Sequence, residues 1–200
     1  MSAESLLGGA LTWDKSFTVD GWFFVDELDD ALTTWRPLFV WGAGSEPAVE
    51  MAYSEALGRV ALAWGTTRRY HPMMGFSGWT HVGLSYDHLL QTVTMAVDGQ
   101  GYTLEAPVFF LAEREDSWLG LGGGGLGDQP WGGGMDSARV SRSAHYAGAE
   151  VFTPSPQPEV RPEDEGVWRF DRNLDNAAAA AAAPLTAIND VQRYLDICPE

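Results

Sequence analysis

The residues of this chain best suited to holding a ligand are aromatic side chains in predicted loops and at the ends of predicted strands. Trp131 lies in a glycine-rich stretch beside Asp128 and Gln129, and Trp35 and Tyr70 lie near strand ends. An aromatic face can stack on a sugar ring. We therefore predict ligand contacts at Trp131, Asp128, Gln129, Tyr70 and Trp35, while the alternative role for a tryptophan is to fill the core.

Paired carboxylates are a second candidate chemistry, because glycoside hydrolysis uses two of them on either side of the scissile bond. Glu27 and Asp29 are two residues apart and would share one face of an extended strand. They lie, however, in a polar connection between predicted strands. A second acidic candidate, the charged run 113–116, lacks the apolar alternation that would place it in a cleft. We predict no catalytic residue and do not expect an enzyme.

Oxygen ligands at the spacing of a calcium loop occur where Asp171, Asn173 and Asp175 form a D-x-N-x-D pattern. The glycine and the distal glutamate of a complete loop are missing, so calcium stays open as a cofactor and no metal ligand is assigned. The four histidines are scattered singly, without the spacing of a zinc site. One cysteine, Cys198, cannot form a disulfide within the chain and is expected to be a free thiol.

The net charge of the chain limits the classes of partner that it can bind. A formal net charge of −16 and a pI near 4.4 would repel phosphate backbones, so nucleic acid is not expected. The N-terminal residues contain no basic region and no apolar run long enough for a signal or a membrane span, so we expect no membrane insertion. Either the protein is intracellular, or it is extracellular or at the cell surface as a piece of a longer exported protein. Its oligomeric state stays open.

Apolar residues at alternate positions predict the elements that would position these side chains. In 16–26 four apolar residues at alternate positions share one face, which is typical of a strand in a sandwich. The other predicted strands are short: 37–42, 49–54, 59–65, 79–87, 92–98, 101–104, 117–121 and 136–141. We predict an all-β fold, an antiparallel two-sheet β-sandwich of jelly-roll type, with 16–26 beside 136–141 in one sheet.

The composition changes after residue 155. Segment 154–166 is rich in proline and acidic residues, which is typical of an extended linker. A strand is conceivable at 167–171, seven alanines follow at 177–183, and 184–195 could form a short helix. We predict one domain at 1–155 and, at 156–200, a weakly structured acidic, proline-rich linker and alanine-rich tail.

Several motifs in chain order resemble one known family. They are SFTVDGWFFVD, LFVWG, GWTHVGLSYD, MAVDG, GGMDSARVSRSAHY and AHYAGAEVFTP. Through them, residues 10–155 resemble laminin G-like, concanavalin A-like lectin and glucanase jelly-roll domains. Asp136 and Arg139 match the family's Asp and Arg in the final strand. The resemblance implies a structural ion pair or turn bond for them, with ligand contact as the alternative. It also implies that VWRFD in the tail is similar to the start of a further domain, as a remnant of a second repeat would be.

The family resemblance implies a role in recognition, because such domains bind sugars, proteins or calcium, or act as spacers. Our leading hypothesis is a non-catalytic, carbohydrate-binding recognition module. The alternative is a protein-interaction domain or a structural spacer of a larger assembly. Glycoside hydrolysis would require the fold to bring Glu27, Asp29 and a third acid together in one groove.

Overall fold

The computed structural model describes residues 2–3, 15–25, 35–43, 46–74, 78–106, 117–123, 131, 133–148 and 151–169. The described residues form strands and contain no helix, and hence none long and apolar enough to cross a membrane. In chain order the strands are β1 (Ser2–Ala3), β2 (Phe17–Val25), β3 (Trp35–Ala43), β4 (Glu46–Ser54), β5 (Arg59–Trp64), β6 (Thr67–Tyr70), β7 (Gly78–Asp87), β8 (Thr92–Val97), β9 (Gln100–Glu105), β10 (Ser117–Leu121), β11 (Gly134–Ser141) and β12 (Asp164–Arg169).

The strands form two six-stranded sheets in which neighbouring strands are antiparallel. Sheet A has the order β1-β10-β3-β4-β5-β6, and sheet B has the order β12-β11-β2-β7-β8-β9. The predicted all-β, antiparallel two-sheet sandwich is confirmed. The predicted placement of the 16–26 strand beside 136–141 is confirmed as well, because Val19 pairs with Val140 and Thr18 with Ser141.

Aromatic contacts join the inner faces of the two sheets. Phe23 of β2 lies edge-to-face against Phe39 of β3, with 5.2 Å between the ring centroids. Toward the other end of the sandwich, the ring of Phe17 lies 6.1 Å from that of Trp41. All four side chains are buried, so the alternation seen in the sequence puts one face of each strand into a shared core.

A tight turn between β8 and β9 holds a later part of the chain. Asp98 and Gly99 both have positive φ, 44° and 82°, as a two-residue hairpin turn requires. The Gly99 carbonyl accepts a 2.8 Å hydrogen bond from the Phe152 backbone N–H. A Cβ on Gly99 would lie 2.3 Å from the Phe152 carbonyl oxygen, so only glycine allows this close approach.

Three strands differ from the sequence analysis. The two-residue strand β1 and the edge strand β6 were not predicted, and β6, with sequence TRRY, lacks alternating apolar residues. Strand β12 overlaps the strand considered at 167–171 but begins at Asp164. Residues 170–200, which include Asp171, Asn173, Asp175 and Cys198, lie outside the described residues, and so do Glu27, Asp29 and 113–116.

Strand β12 packs tightly although it belongs to the segment predicted as a tail. It pairs with β11 at the edge of sheet B, and Trp168 enters the hydrophobic core with 1% of its surface exposed. The division at residue 155 stays a prediction, but 164–169 is not weakly packed. The prediction of a tail rested on the prolines and acidic residues of 154–166. Two adjacent residues, Val167 and Trp168, are nevertheless buried, and their burial attaches this edge strand to the sandwich.

We predict that Trp168→Ala destabilises the sandwich by about 3–5 kcal/mol, because it removes a large buried side chain and leaves a cavity. The matched control is Val160→Ala, in the same segment but exposed, which should change the free energy of unfolding by less than about 0.5 kcal/mol. Urea unfolding followed by tryptophan fluorescence measures both. Equal stabilities of Trp168→Ala and the parent protein would show that β12 does not belong to the folded unit.

Candidate functional site

The outward face of sheet A carries the candidate site. On β4 and β5 the inward residues are large and join the core, for example Met51 and Leu62, which pair with each other. The outward residues form three cross-strand pairs, and four of these six residues are small. The pairs are Ser54 with Arg59, Ala52 with Ala61, and Glu50 with Ala63.

Trp35 and Tyr70 meet over these small residues. Trp35 begins β3 and Tyr70 ends β6, and β4 and β5 lie between them in the sheet. Three inter-strand spacings amount to about 14 Å, yet the two ring centroids are only 5.9 Å apart. The rings must therefore lean toward each other across the sheet, and Ala52 and Ala61 are buried on this outward face.

Tyr70 is held in place by the residue that follows it. His71 is fully buried, and its Nδ1 accepts a hydrogen bond from the Met73 backbone N–H at 3.1 Å. The proton therefore lies on Nε2, which donates to the Gln100 carbonyl oxygen at 3.2 Å. Burial lowers the pKa of His71, so the imidazole stays neutral and joins the end of β6 to β9. The Tyr70 side chain itself remains 42% exposed.

The guanidinium of Arg68 lies against the Trp35 ring. The Cζ of Arg68 lies 4.2 Å from the centroid of the Trp35 ring, which is within the range of a cation–π contact. Among the described residues, no carboxylate pairs with Arg68. We call Trp35, Arg68 and Tyr70 the aromatic–arginine cluster. It combines a stacking surface with N–H donors that no carboxylate of the described residues occupies.

Glu50 is a further polar residue on this face. The sheet register places Glu50, Ala63 and Arg68 in one row, and the Glu50 side chain is only 1% exposed. The sequence analysis singled out neither Arg68 nor Glu50. Glu50 has no acidic neighbour within three residues, and nothing in a single strand shows that Trp35 and Tyr70 converge from strands three places apart.

Trp131 occupies a different place from the other two aromatic candidates. It packs against the core, with edge-to-face contacts to Phe23 at 5.6 Å and to Tyr53 at 6.3 Å. Its indole N–H donates to the Gly134 carbonyl at 3.1 Å. The described contacts of Trp131 are therefore packing contacts, and it is not part of the aromatic–arginine cluster. Asp128 and Gln129 lie outside the described residues.

The outward face of sheet B is covered by the chain itself. Residues 143–148 and 151–158, which we call the return segment, cross it after β11. Arg139 Nη2 donates to Asp20 Oδ2 at 2.5 Å, and the Tyr146 hydroxyl of the return segment donates to the same oxygen at 2.7 Å. The structural ion pair implied for Arg139 is present, but its partner is Asp20 on the neighbouring strand β2.

Burial shifts the titration of the groups around this ion pair. It raises the pKa of Tyr146, as does the Asp20 carboxylate, so the phenol stays protonated and remains a donor. Burial lowers the pKa of His81 to about 4, so this imidazole is neutral at pH 7. A cavity of about 30 Å³ adjoins these groups and Ser137, which is room for a water molecule or two.

Comparison with known proteins identifies the fold. No family model and no curated protein sequence matches the chain. A candidate carbohydrate-binding protein from Bacteroides ovatus is similar in structure, with a TM-score of 0.53 and 17% identity over 79% of this chain and 46% of that one. The chain therefore spans less than half the length of that protein.

Two further similar structures come from sialidases. The CBM40 of the Ruminococcus gnavus IT-sialidase, bound to α2,3 sialyllactose, has a TM-score of 0.52 and 17% identity over 72% of this chain and 86% of that one. The NanB sialidase of Streptococcus pneumoniae has a TM-score of 0.51 and 15% identity over 80% of this chain and 28% of that one. At these identities the likeness shows the fold alone. The chain has the fold of carbohydrate-binding β-sandwich domains.

We predict that His81 makes the protein less stable in acid. The unfolded chain binds a proton on this imidazole near pH 6.5, whereas the folded protein does so only near pH 4, so stability falls as the pH drops through this range. His81→Gln should remove about 2 kcal/mol of the stability difference between pH 7 and pH 5. Urea unfolding at both values measures it.

Leu89→Gln is the control for this measurement, because Leu89 is 90% exposed in the turn that follows β7 and carries no titratable group. It should keep the pH dependence of the parent protein. An unchanged difference between pH 7 and pH 5 in His81→Gln would mean that the folded protein accommodates a protonated His81.

Proposed function

We propose that this protein is a non-catalytic carbohydrate-recognition module whose binding site is the outward face of sheet A around the aromatic–arginine cluster. The observation that carries the proposal is the convergence of Trp35 and Tyr70 over a floor of small side chains, with Arg68 against the indole. The exposed phenol offers a surface on which a sugar ring can stack. The guanidinium offers several N–H donors to sugar oxygens.

The small residues beneath the cluster let the aromatic rings lie close to the sheet. Ala52, Ala61 and Ala63 have no side chain beyond Cβ and are buried. The rings of Trp35 and Tyr70 can therefore approach each other above them. The groups gathered here stack and hydrogen-bond, which is the chemistry of recognition and not of bond cleavage.

The fold and the family resemblance support the same proposal. The similar structures include a carbohydrate-binding module bound to a sialylated sugar, and the motifs of residues 10–155 resemble laminin G-like, concanavalin A-like domains. Calcium stays open as a cofactor. An extracellular or cell-surface location would suit a protein that binds glycans, as part of a longer exported chain.

A protein-interaction role is the second candidate. It is favoured by Leu89 and Leu90, neighbours in the β7–β8 turn whose side chains are 90% and 64% exposed. Two adjacent exposed leucines suit burial against an apolar partner surface. This turn lies on sheet B, so a partner bound there would leave the aromatic–arginine cluster accessible.

We predict that Tyr70→Ala weakens glycan binding about tenfold, because it removes the exposed stacking surface. A glycan array selects the ligand, and titration calorimetry with calcium and then with a chelator measures its affinity. The control is Leu89→Ala, which truncates an exposed apolar side chain on the other sheet and should leave the affinity unchanged. Binding to no glycan under either condition would rule the proposal out, and capture of a stable protein partner that depends on Leu89 would favour the second candidate.

A further inference from the structure

The cationic residues around the aromatic–arginine cluster stand out against the charge of the whole protein. Residues 50–74 contain three arginines, Arg59, Arg68 and Arg69, and two acidic residues, Glu50 and Glu55, whereas the chain as a whole carries −16. All three arginines lie on the neighbouring strands β5 and β6. Arg59 shares the outward row of Ser54 and Trp35, and Arg68 contacts the Trp35 ring.

We propose that the sugar recognised on this face carries a carboxylate, as uronic and sialic acids do, and that Arg68 binds this carboxylate. The inference rests on the proposed function, since it specifies which class of glycan the same site would take.

The first step is the contrast between Arg139 and Arg68, which lie on the outward faces of different sheets. Arg139 on sheet B is buried, and its guanidinium is already engaged by Asp20 and lies next to Tyr146. Arg68 on sheet A is half-buried and has no carboxylate partner among the described residues. A guanidinium is a planar fork of donors that matches a carboxylate in bidentate fashion. Within the described part of the chain, Arg68 is therefore available to form such a pair with a carboxylate of a ligand.

The second step is the position of Arg68 on the indole. Because the guanidinium lies 4.2 Å from the centroid of the Trp35 ring, it occupies one face of that ring and keeps a neutral sugar from stacking there. It is also restrained, so less side-chain entropy is lost when a ligand binds. Hydrogen bonds from a charged donor to a charged acceptor are about twice as strong as neutral ones, so a carboxylate uses this arrangement better than a hydroxyl does.

The third step concerns the net charge. A protein at −16 repels anions over long distances, so a preference for an acidic sugar cannot arise from general attraction. It would have to come from local contacts at the cluster. The preference should therefore depend on Arg68 and be insensitive to removing an arginine elsewhere on the surface.

The test uses two glycan arrays printed with the same uronate- and sialate-containing glycans, one with free carboxylates and one with the carboxylates converted to amides. The 200-residue chain should bind its best free-acid glycan at least tenfold more tightly than the amide. Arg68→Gln should lose this difference, because it removes the charge. Arg68→Lys should retain only part of it, since an ammonium keeps the charge but not the fork.

The matched control is Arg142→Gln, which removes the same charge from an exposed position just after β11 of sheet B. It should retain the full preference for the free acid. Equal binding to both arrays, or an undiminished preference in Arg68→Gln, would overturn the carboxylate inference while the proposed carbohydrate binding stands. Binding to neither array nor to any neutral glycan would overturn both.

Discussion

The buried ion pair between Arg139 and Asp20 determines how the outward face of sheet B is closed. The two residues lie opposite each other on β11 and β2, and charges removed from water are tolerated only with good geometry and further hydrogen bonds. The Tyr146 hydroxyl supplies one of these bonds. The return segment is therefore held on the sheet by the same interaction that satisfies the charges beneath it.

The two outward faces of the sandwich differ in what lies on them. Sheet B is covered by the return segment, whose Phe152 N–H also binds the Gly99 carbonyl. Sheet A instead presents Trp35, Arg68 and Tyr70 over small residues. A buried polar network around Asp20, Arg139 and Tyr146 holds the return segment on one face. On the other face, an aromatic surface lies beside an arginine that has no carboxylate partner among the described residues.

Most of the fold could be predicted because period-two alternation is a local signal. It located β2, the β7–β8 hairpin and β11, as well as the pairing of β2 with β11. The edge strands β6 and β12 carry too few apolar residues for such a signal. The candidate site was less predictable: Trp35 and Tyr70 were identified as aromatic residues at strand ends, but their meeting depends on strand order. Arg68 was identified as a site residue only from its contact with the Trp35 ring in the structure.

The central claim is that glycans bind on the outward face of sheet A, and an NMR titration of the ¹⁵N-labelled protein with its best array ligand tests it most directly. We expect the largest amide shifts in β6 and in the outward residues of β4 and β5, from Ala52 to Ala63. The Tyr70 and Arg68 amides should be among them. Shifts confined to the region of Trp131, or to the return segment over sheet B, would contradict the claim.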